Sequence, residues 1–102
     1  MWISDIPAVI TVGTTVKWRD ESATVGFNES ATSADFSLTY YLRTNTAGEG
    51  HTSVGSAFAT GWEFTISATD SAGFDAGDWY WCAIAEKSGE KYKLGQGQFE
   101  VK

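Results

Sequence analysis

Two side chains in this sequence could act as a nucleophile or a base, His51 and Cys82. His51 is the only histidine, so a Ser-His-Asp triad or a histidine metal site would have to be built around that residue. It stands in a Gly-rich stretch, which favours a surface-loop histidine. Cys82 lies in an apolar run without a neighbouring base to activate its thiol, and we interpret it as a small packing residue. The sequence therefore predicts no catalytic residue and no enzyme.

Acidic residues and glycines raise two further possibilities, a metal site and a phosphate-binding loop. Asp70, Asp75 and Asp78 cluster ahead of an aromatic run and could offer oxygen ligands to calcium. Their spacing does not match a calcium loop, and aspartates that form turns explain it equally well. The segment 48–50 lacks the following helix and lysine that a phosphate-binding loop requires. We expect neither a metal nor a cofactor.

The charge balance limits the classes of partner. Seven basic and thirteen acidic residues give a formal net charge of −6, which repels phosphate backbones and anionic membranes. The mixed-charge segment 19–21 is too short for an interaction tail, and we interpret it as a solvated turn. Nucleic acid and membranes are therefore not expected partners.

The single cysteine also bears on the compartment. No intrachain disulfide is possible, so the fold must hold by packing alone, which favours a reducing environment. The first residues lack a basic segment followed by a long apolar run, and no stretch of about 18 apolar residues occurs. We expect no targeting or membrane-spanning segment.

Strand patterns recur along the chain. β-Branched and aromatic residues dominate segments 8–12, 14–18 and 35–43, and a weaker strand is expected at 52–57 after a small, polar loop at 44–50. Two segments alternate apolar with polar residues, as a strand does when one face meets the core. The residues that this alternation directs inward are Phe36, Leu38, Tyr40 and Leu42, and then Trp62, Phe64, Ile66 and Ala68.

A short helical turn and a central strand follow. The turn is expected near 69–74, begun by a Thr69 or Asp70 cap and ended by Gly73. Segment 79–85 is apolar or aromatic on both faces, so it is a central strand or a strand whose outer face is covered.

The last part of the chain predicts a β-hairpin. Segment 88–90 (SGE) lies between two strands, and its glycine, Gly89, supplies the turn. The apolar residues of the final strand change parity, and a β-bulge at 95–97 would return them to one face.

These elements predict an all-β fold, an immunoglobulin-like β-sandwich of about seven or eight antiparallel strands. Residues 8–102 form a single domain, and residues 1–7 form an N-terminal arm whose Trp2 and Ile3 could dock onto it or onto a neighbour.

The best candidate for an interaction surface lies on the strand at 79–85. If Trp79, Trp81, Ala83 and Ala85 face inward, the alternate side chains face outward. Coverage by another part of the same domain is an equally open interpretation. The residues of this candidate surface are Tyr80, Cys82 and Ile84, together with Tyr41, which we expect beside them on a neighbouring strand.

The order of motifs resembles a group of small virion-associated proteins encoded by tailed phages and prophages. The matching segments are 12–18 (VGTTVKW), 36–43 (FSLTYYLR), 62–66 (WEFTI), 76–81 (AGDWYW), 86–92 (EKSGEKY) and 97–101 (GQFEV). In that group one strand alternates aromatic with polar residues, and here Tyr80, Cys82 and Ile84 occupy the polar positions. The resemblance implies an Ig-like fold and protein contacts, and it carries no catalytic residues.

Three functions follow as hypotheses. The leading one is a non-enzymatic phage or prophage structural protein that decorates or joins the head, the head-tail junction or the tail. Its partners would be virion proteins or itself as a homo-oligomer, and its location would be the host cytoplasm and then the virion. The alternative is a carbohydrate-binding module whose exposed rings stack on sugars. A hydrolase or metal enzyme built around His51 is the third.

Overall fold

The computed structural model describes residues 4–27, 29–44 and 50–102 of the chain. Within these ranges it contains ten β-strands and one helix, which confirms the predicted all-β fold with a single helical turn. The roles predicted for Trp2 and Ile3 lie outside the described residues, as does most of the loop at 44–50. The elements in chain order are β1 (Val9–Ile10), β2 (Val16–Asp20), β3 (Ala23–Val25), β4 (Glu29–Ala31), β5 (Ser37–Arg43), β6 (Gly50–Val54), β7 (Ser56–Phe58), β8 (Gly61–Ile66), α1 (Ala68–Ser71), β9 (Gly77–Lys87) and β10 (Glu90–Val101).

The strands form two larger sheets and a hairpin. The five-stranded sheet has the order β1-β10-β9-β5-β6, the three-stranded sheet has the order β2-β8-β7, and β3 pairs with β4 alone. Six of the seven described pairings are antiparallel, but β1 runs parallel to β10. The ten described strands exceed the expected number of about seven or eight, because strands of two or three residues carry little sequence pattern. The parallel strand β1 also departs from the expected antiparallel arrangement.

The core lies where the inward faces of the two larger sheets meet. The alternation in β5 and β8 is confirmed, because each inward side chain of these strands is at most 1% exposed. Those side chains are Leu38, Tyr40, Leu42, Trp62, Phe64 and Ile66. Phe36, which precedes β5, is also buried. Ala68 was wrongly assigned to this row, because β8 ends at Ile66 and Ala68 is the first residue of α1.

The N-cap of the helix α1 lies two residues before the first of its predicted caps, Thr69. Ser67 is the N-cap, and its hydroxyl accepts a hydrogen bond from the backbone N–H of Asp70 at 3.1 Å. The assignment of the cap to Thr69 or Asp70 was therefore wrong, although the turn itself is confirmed. The side-chain oxygen of Ser67 accepts from a free N–H group of the first helical turn in the same way that a Thr or Asp cap would.

The β9–β10 hairpin positions the longest strands of the five-stranded sheet. Ser88 and Gly89 both have positive φ values, 50° and 85°, as the central residues of a type I′ turn do. The register shifts between Lys93 and Gly95, so the predicted bulge exists but its extra residue is Leu94. The bulge returns Phe99 and Val101 to the core.

Trp81 packs inward on the strand β9 against a notch that Gly97 leaves open. Trp81 and Gly97 are partners in the β9–β10 register, and a Cβ at Gly97 would lie 2.7 Å from Trp81 Nε1. The indole also lies 5.5 Å from the ring of Tyr40, centroid to centroid. The large ring therefore fits between two strands only because its partner has no side chain.

Replacing Gly97 by alanine should destabilise the fold. The added methyl group collides with the indole of Trp81, so the ring must leave its rotamer, at a cost of about 1–3 kcal/mol in the free energy of unfolding. Chemical denaturation of Gly97→Ala measures this cost. Gly73→Ala is the matched control, because a Cβ there meets only a backbone oxygen at 3.6 Å. Equal stability of the two variants would contradict the packing argument.

Candidate protein-interaction surface

The four residues of the predicted interaction surface lie together on one face of the five-stranded sheet. Tyr41 on β5 pairs with Cys82 on β9, and Tyr80 and Ile84 lie two positions away on either side of Cys82. Tyr41 and Tyr80 are each 37% exposed, while Cys82 and Ile84 are half-buried. The structure thus brings all four together and turns them away from the core. Their role in binding a partner stays a prediction.

We call this surface the outer face, and the sheet register defines its other members. Residues that pair across strands share a face of a sheet. The outer face consists of Val9 on β1, Ser37, Thr39, Tyr41 and Arg43 on β5, Thr52 and Val54 on β6, Asp78, Tyr80, Cys82, Ile84 and Glu86 on β9, and Lys91, Lys93, Gln96, Gln98 and Glu100 on β10.

The outer face is electrically neutral although the chain is acidic. Its three basic side chains, Arg43, Lys91 and Lys93, balance three acidic ones, Asp78, Glu86 and Glu100. The formal net charge of −6 therefore lies on the rest of the chain. Long-range repulsion between acidic domains is weak where the local charge is balanced, so the outer face permits the approach of another acidic protein.

A further exposed aromatic residue, Phe27, lies at the end of the β3–β4 hairpin. Its side chain is fully exposed. The hairpin itself is held to the domain, because Val25 and Ala31 are buried in the core and Glu29 pairs with Lys87 at 2.7 Å. Sequence reasoning missed Phe27, although a phenylalanine between Gly26 and Asn28 is a signal for an apolar residue in a turn.

Phe58, on the edge strand β7, is exposed in a different setting. The guanidinium of Arg19 lies 3.8 Å above its ring centroid, and Arg19 Nε donates a hydrogen bond to Glu63 at 2.8 Å. A cation over an aromatic face already stabilises this ring in the isolated chain. Phe58 is therefore a weaker candidate for a partner contact than the outer face.

Asp20 forms a buried polar cluster with Tyr40 on the other sheet, and sequence reasoning missed it. It is the last residue of β2 and is 4% exposed, so the interpretation of segment 19–21 as a solvated turn was wrong at this position. Tyr40 donates its hydroxyl hydrogen to one carboxylate oxygen of Asp20, and the backbone N–H of Asp5 donates to the other at 2.9 Å. Ser4 in turn donates its hydroxyl to Tyr40. These bonds fasten residues 4 and 5 to the sandwich.

Burial sets the acid-base properties of this cluster. Desolvation raises the pKa of Asp20 above the usual 3.8, while the bonds from Asp5 and Tyr40 lower it by less. Desolvation and the bond to Asp20 raise the pKa of the Tyr40 hydroxyl. The phenol therefore acts as a donor, and both carboxylate oxygens of Asp20 as well as the Tyr40 hydroxyl have hydrogen-bond partners.

The raised pKa of Asp20 predicts a specific pH dependence of stability. The folded chain holds the Asp20 proton more tightly than the unfolded chain, so this residue stabilises the fold at low pH. That contribution declines as pH rises above about 3.8 and through the folded pKa. Asp20→Asn, which keeps one acceptor oxygen but does not titrate, should lack this decline. Thermal denaturation of both proteins from pH 3 to pH 8 measures the difference, and parallel profiles would contradict it.

The remaining candidate chemical residues are placed apart. His51 lies in β6 rather than in a loop, and its ring packs 5.4 Å from that of Phe74. Asp70 is on α1, Asp78 is on β9, and the backbone carbonyl of Asp75 accepts a hydrogen bond from Trp79 Nε1 at 2.8 Å. Among the described residues, no group of three or more His, Cys, Asp and Glu side chains could hold a metal ion.

Comparison of the chain with protein-family models finds no match, and comparison with curated proteins finds none either. The helix α1 is four residues long, and over residues 4–27, 29–44 and 50–102 no helix has the length and hydrophobicity to cross a membrane.

Proposed function

We propose that this chain is a non-enzymatic structural protein of a phage or prophage particle, acting through protein–protein contacts on its outer face. It would decorate or join the head, the head-tail junction or the tail, in the host cytoplasm during assembly and then in the virion. The observation that supports the contacts is the gathering of Tyr41, Tyr80, Cys82 and Ile84 on one neutral sheet face. The phage setting is supported by the resemblance of the sequence motifs.

The strand order supports the immunoglobulin-like part of the proposal. The strands of an immunoglobulin domain are lettered in chain order, and strands B and E lie in one sheet while strands C, F and G lie in the other. Here β2 lies beside β8, and β5, β9 and β10 are neighbours in the larger sheet. The β3–β4 hairpin is then an insertion between the second and third strands of that plan.

The residues that carry chemistry have structural partners, which supports a non-enzymatic role. The ring of His51 packs on Phe74, and the Asp20 carboxylate is occupied by Tyr40 and the backbone of Asp5. The Cys82 thiol lies on the outer face, where Tyr41 and Gln96 are its cross-strand neighbours. Neither of these two neighbours is a base of the kind that activates a thiol.

Tyr80→Glu tests the outer face directly. A carboxylate in the middle of a contact face loses the aromatic contact and must be desolvated on binding, so incorporation into particles should fall at least tenfold, about the effect of losing 1.4 kcal/mol. The measurement is mass spectrometry of purified particles from a host that expresses the variant. Thr65→Glu is the matched control, because Thr65 is an exposed position of β8 on the other sheet.

Two results would contradict the proposal. One is the absence of the wild-type chain from purified particles. The other is equal incorporation of the Tyr80→Glu and Thr65→Glu variants when both melt at the wild-type temperature.

A carbohydrate-binding module is the second candidate function, and it depends on Tyr41 and Tyr80 of the outer face. Trp18, Trp62 and Trp79 are buried in the core, so they offer no platform for a sugar ring. Tyr41 and Tyr80 lie exposed on neighbouring strands, and their rings could stack on the face of a sugar. Binding to a glycan array that is lost in Tyr80→Ala would favour this function over the structural one.

A further inference from the structure

The outward side chains of β10 change sign along the strand. Lys91 and Lys93 lie near its beginning, Gln96 and Gln98 in its middle, and Glu100 near its end. Two of these charges form exposed ion pairs, Lys91 with Glu86 at 3.5 Å and Glu100 with Lys102 at 3.7 Å. Exposed pairs of this kind contribute about 0–1 kcal/mol, so they compete weakly with a contact to another molecule. A strand that is basic at one end and acidic at the other is complementary to itself when it is reversed.

We propose that the partner of the outer face is a second copy of this chain, in a symmetric dimer with a two-fold axis. This inference rests on the proposed function, since it names the occupant of the same surface. The axis lies in the interface and crosses the strands at the row formed by Gln96, Cys82 and Tyr41. In such a dimer one surface patch contacts its own copy, so it must be complementary to itself.

The axis matches Lys91 with Glu100 on the two copies of β10, and it sets one pair of like charges, Asp78 and Glu86, against each other on β9. A half-turn about the Gln96–Cys82–Tyr41 row exchanges the two ends of β10 and places Glu100 opposite Lys91 of the second copy. It also places Asp78 of the second copy opposite Glu86, beside Lys91. Lys91 therefore faces carboxylates from both chains and is the cation on which the contact depends most.

The same half-turn matches the apolar side chains. Tyr80 and Ile84 lie at equal distances from the axis on β9, so the ring of Tyr80 meets the aliphatic side chain of Ile84 of the second copy. Cys82 lies at the axis and meets its own equivalent. Aromatic and aliphatic side chains at the centre, with charges outside them, are the usual arrangement of a stable interface.

The size of the outer face suits a dimer of this kind. Five strands spaced about 4.8 Å apart, paired over about seven residues of about 3.4 Å each, give roughly 550 Å² of flat area. Side-chain relief brings the accessible area toward the ~800 Å² that each partner contributes to a standard interface. The neutrality of the face permits the approach of two chains that each carry a net charge of −6.

A charge exchange on Lys91 and Glu100 tests the dimer and its axis together. Lys91→Glu and Glu100→Lys each place like charges opposite one another, so each should raise the dimer dissociation constant at least tenfold. The double variant Lys91→Glu/Glu100→Lys restores opposite charges and should return the constant to within about threefold of wild type, a coupling that only residues in contact show. Analytical ultracentrifugation over a concentration series gives the constants. Lys17→Glu, on the other sheet, is the matched control and should leave the constant unchanged.

The thiol of Cys82 provides an independent readout of which face is buried. Its rate of reaction with a thiol reagent should fall as the concentration of the wild-type chain rises, while the rate in Lys91→Glu should stay constant.

A wild-type chain that is monomeric at millimolar concentration overturns the dimer. Failure of the double variant to recover, or a thiol rate independent of concentration in a dimeric wild type, overturns the outer face as its interface. A monomeric chain that is still incorporated into particles overturns the dimer alone, whereas a dimeric chain absent from particles overturns the proposed function alone.

Discussion

The contact of Tyr40 with Trp18 and Phe64 joins the two larger sheets, and much of the fold depends on it. Tyr40 stands on β5 of the five-stranded sheet, while Trp18 and Phe64 are paired neighbours on β2 and β8 of the other sheet. The tyrosine ring meets both at near-perpendicular angles, with centroids 5.2 and 4.7 Å away. Without an intrachain disulfide, packing of this kind must supply the attachment that a bridge gives to many sandwich domains. The phenolic hydroxyl then reaches the end of β2, which explains why an aspartate is buried there.

Strand patterns with long alternation could be predicted from the sequence, and short or locally ambiguous features could not. Tyr40 and Phe64 belong to runs in which apolar residues alternate with polar ones, so their burial follows from the pattern. Asp20 lies between two other charged residues at the end of a strand, and only the position of Tyr40 on another sheet explains its burial. The hairpin of β3 and β4 escaped prediction because strands of three residues give too few positions for a period to emerge.

The candidate surface was predicted from the strand at 79–85 and from Tyr41 on a neighbouring strand, and the sheet register extended it. Alternation in 79–85 correctly directs Tyr80, Cys82 and Ile84 outward, because the inward residues Trp79 and Ala83 are buried. Which residues surround this row depends on pairings between segments far apart in sequence, such as Tyr41 with Cys82 and Gln96 with Cys82. The balance of charge on the outer face therefore became visible only when the strands were placed side by side.

The bulge at Leu94 links the core to this charge pattern. Without the extra residue, the side chains of β10 that follow it would change faces, so Phe99 would point to solvent and Glu100 into the core. The bulge keeps Phe99 packed on Trp79, with centroids 5.9 Å apart, and places Glu100 outward at the opposite end of the strand from Lys91. One inserted residue thus satisfies the requirement for an apolar core and at the same time creates the reversal of charge along the outer face.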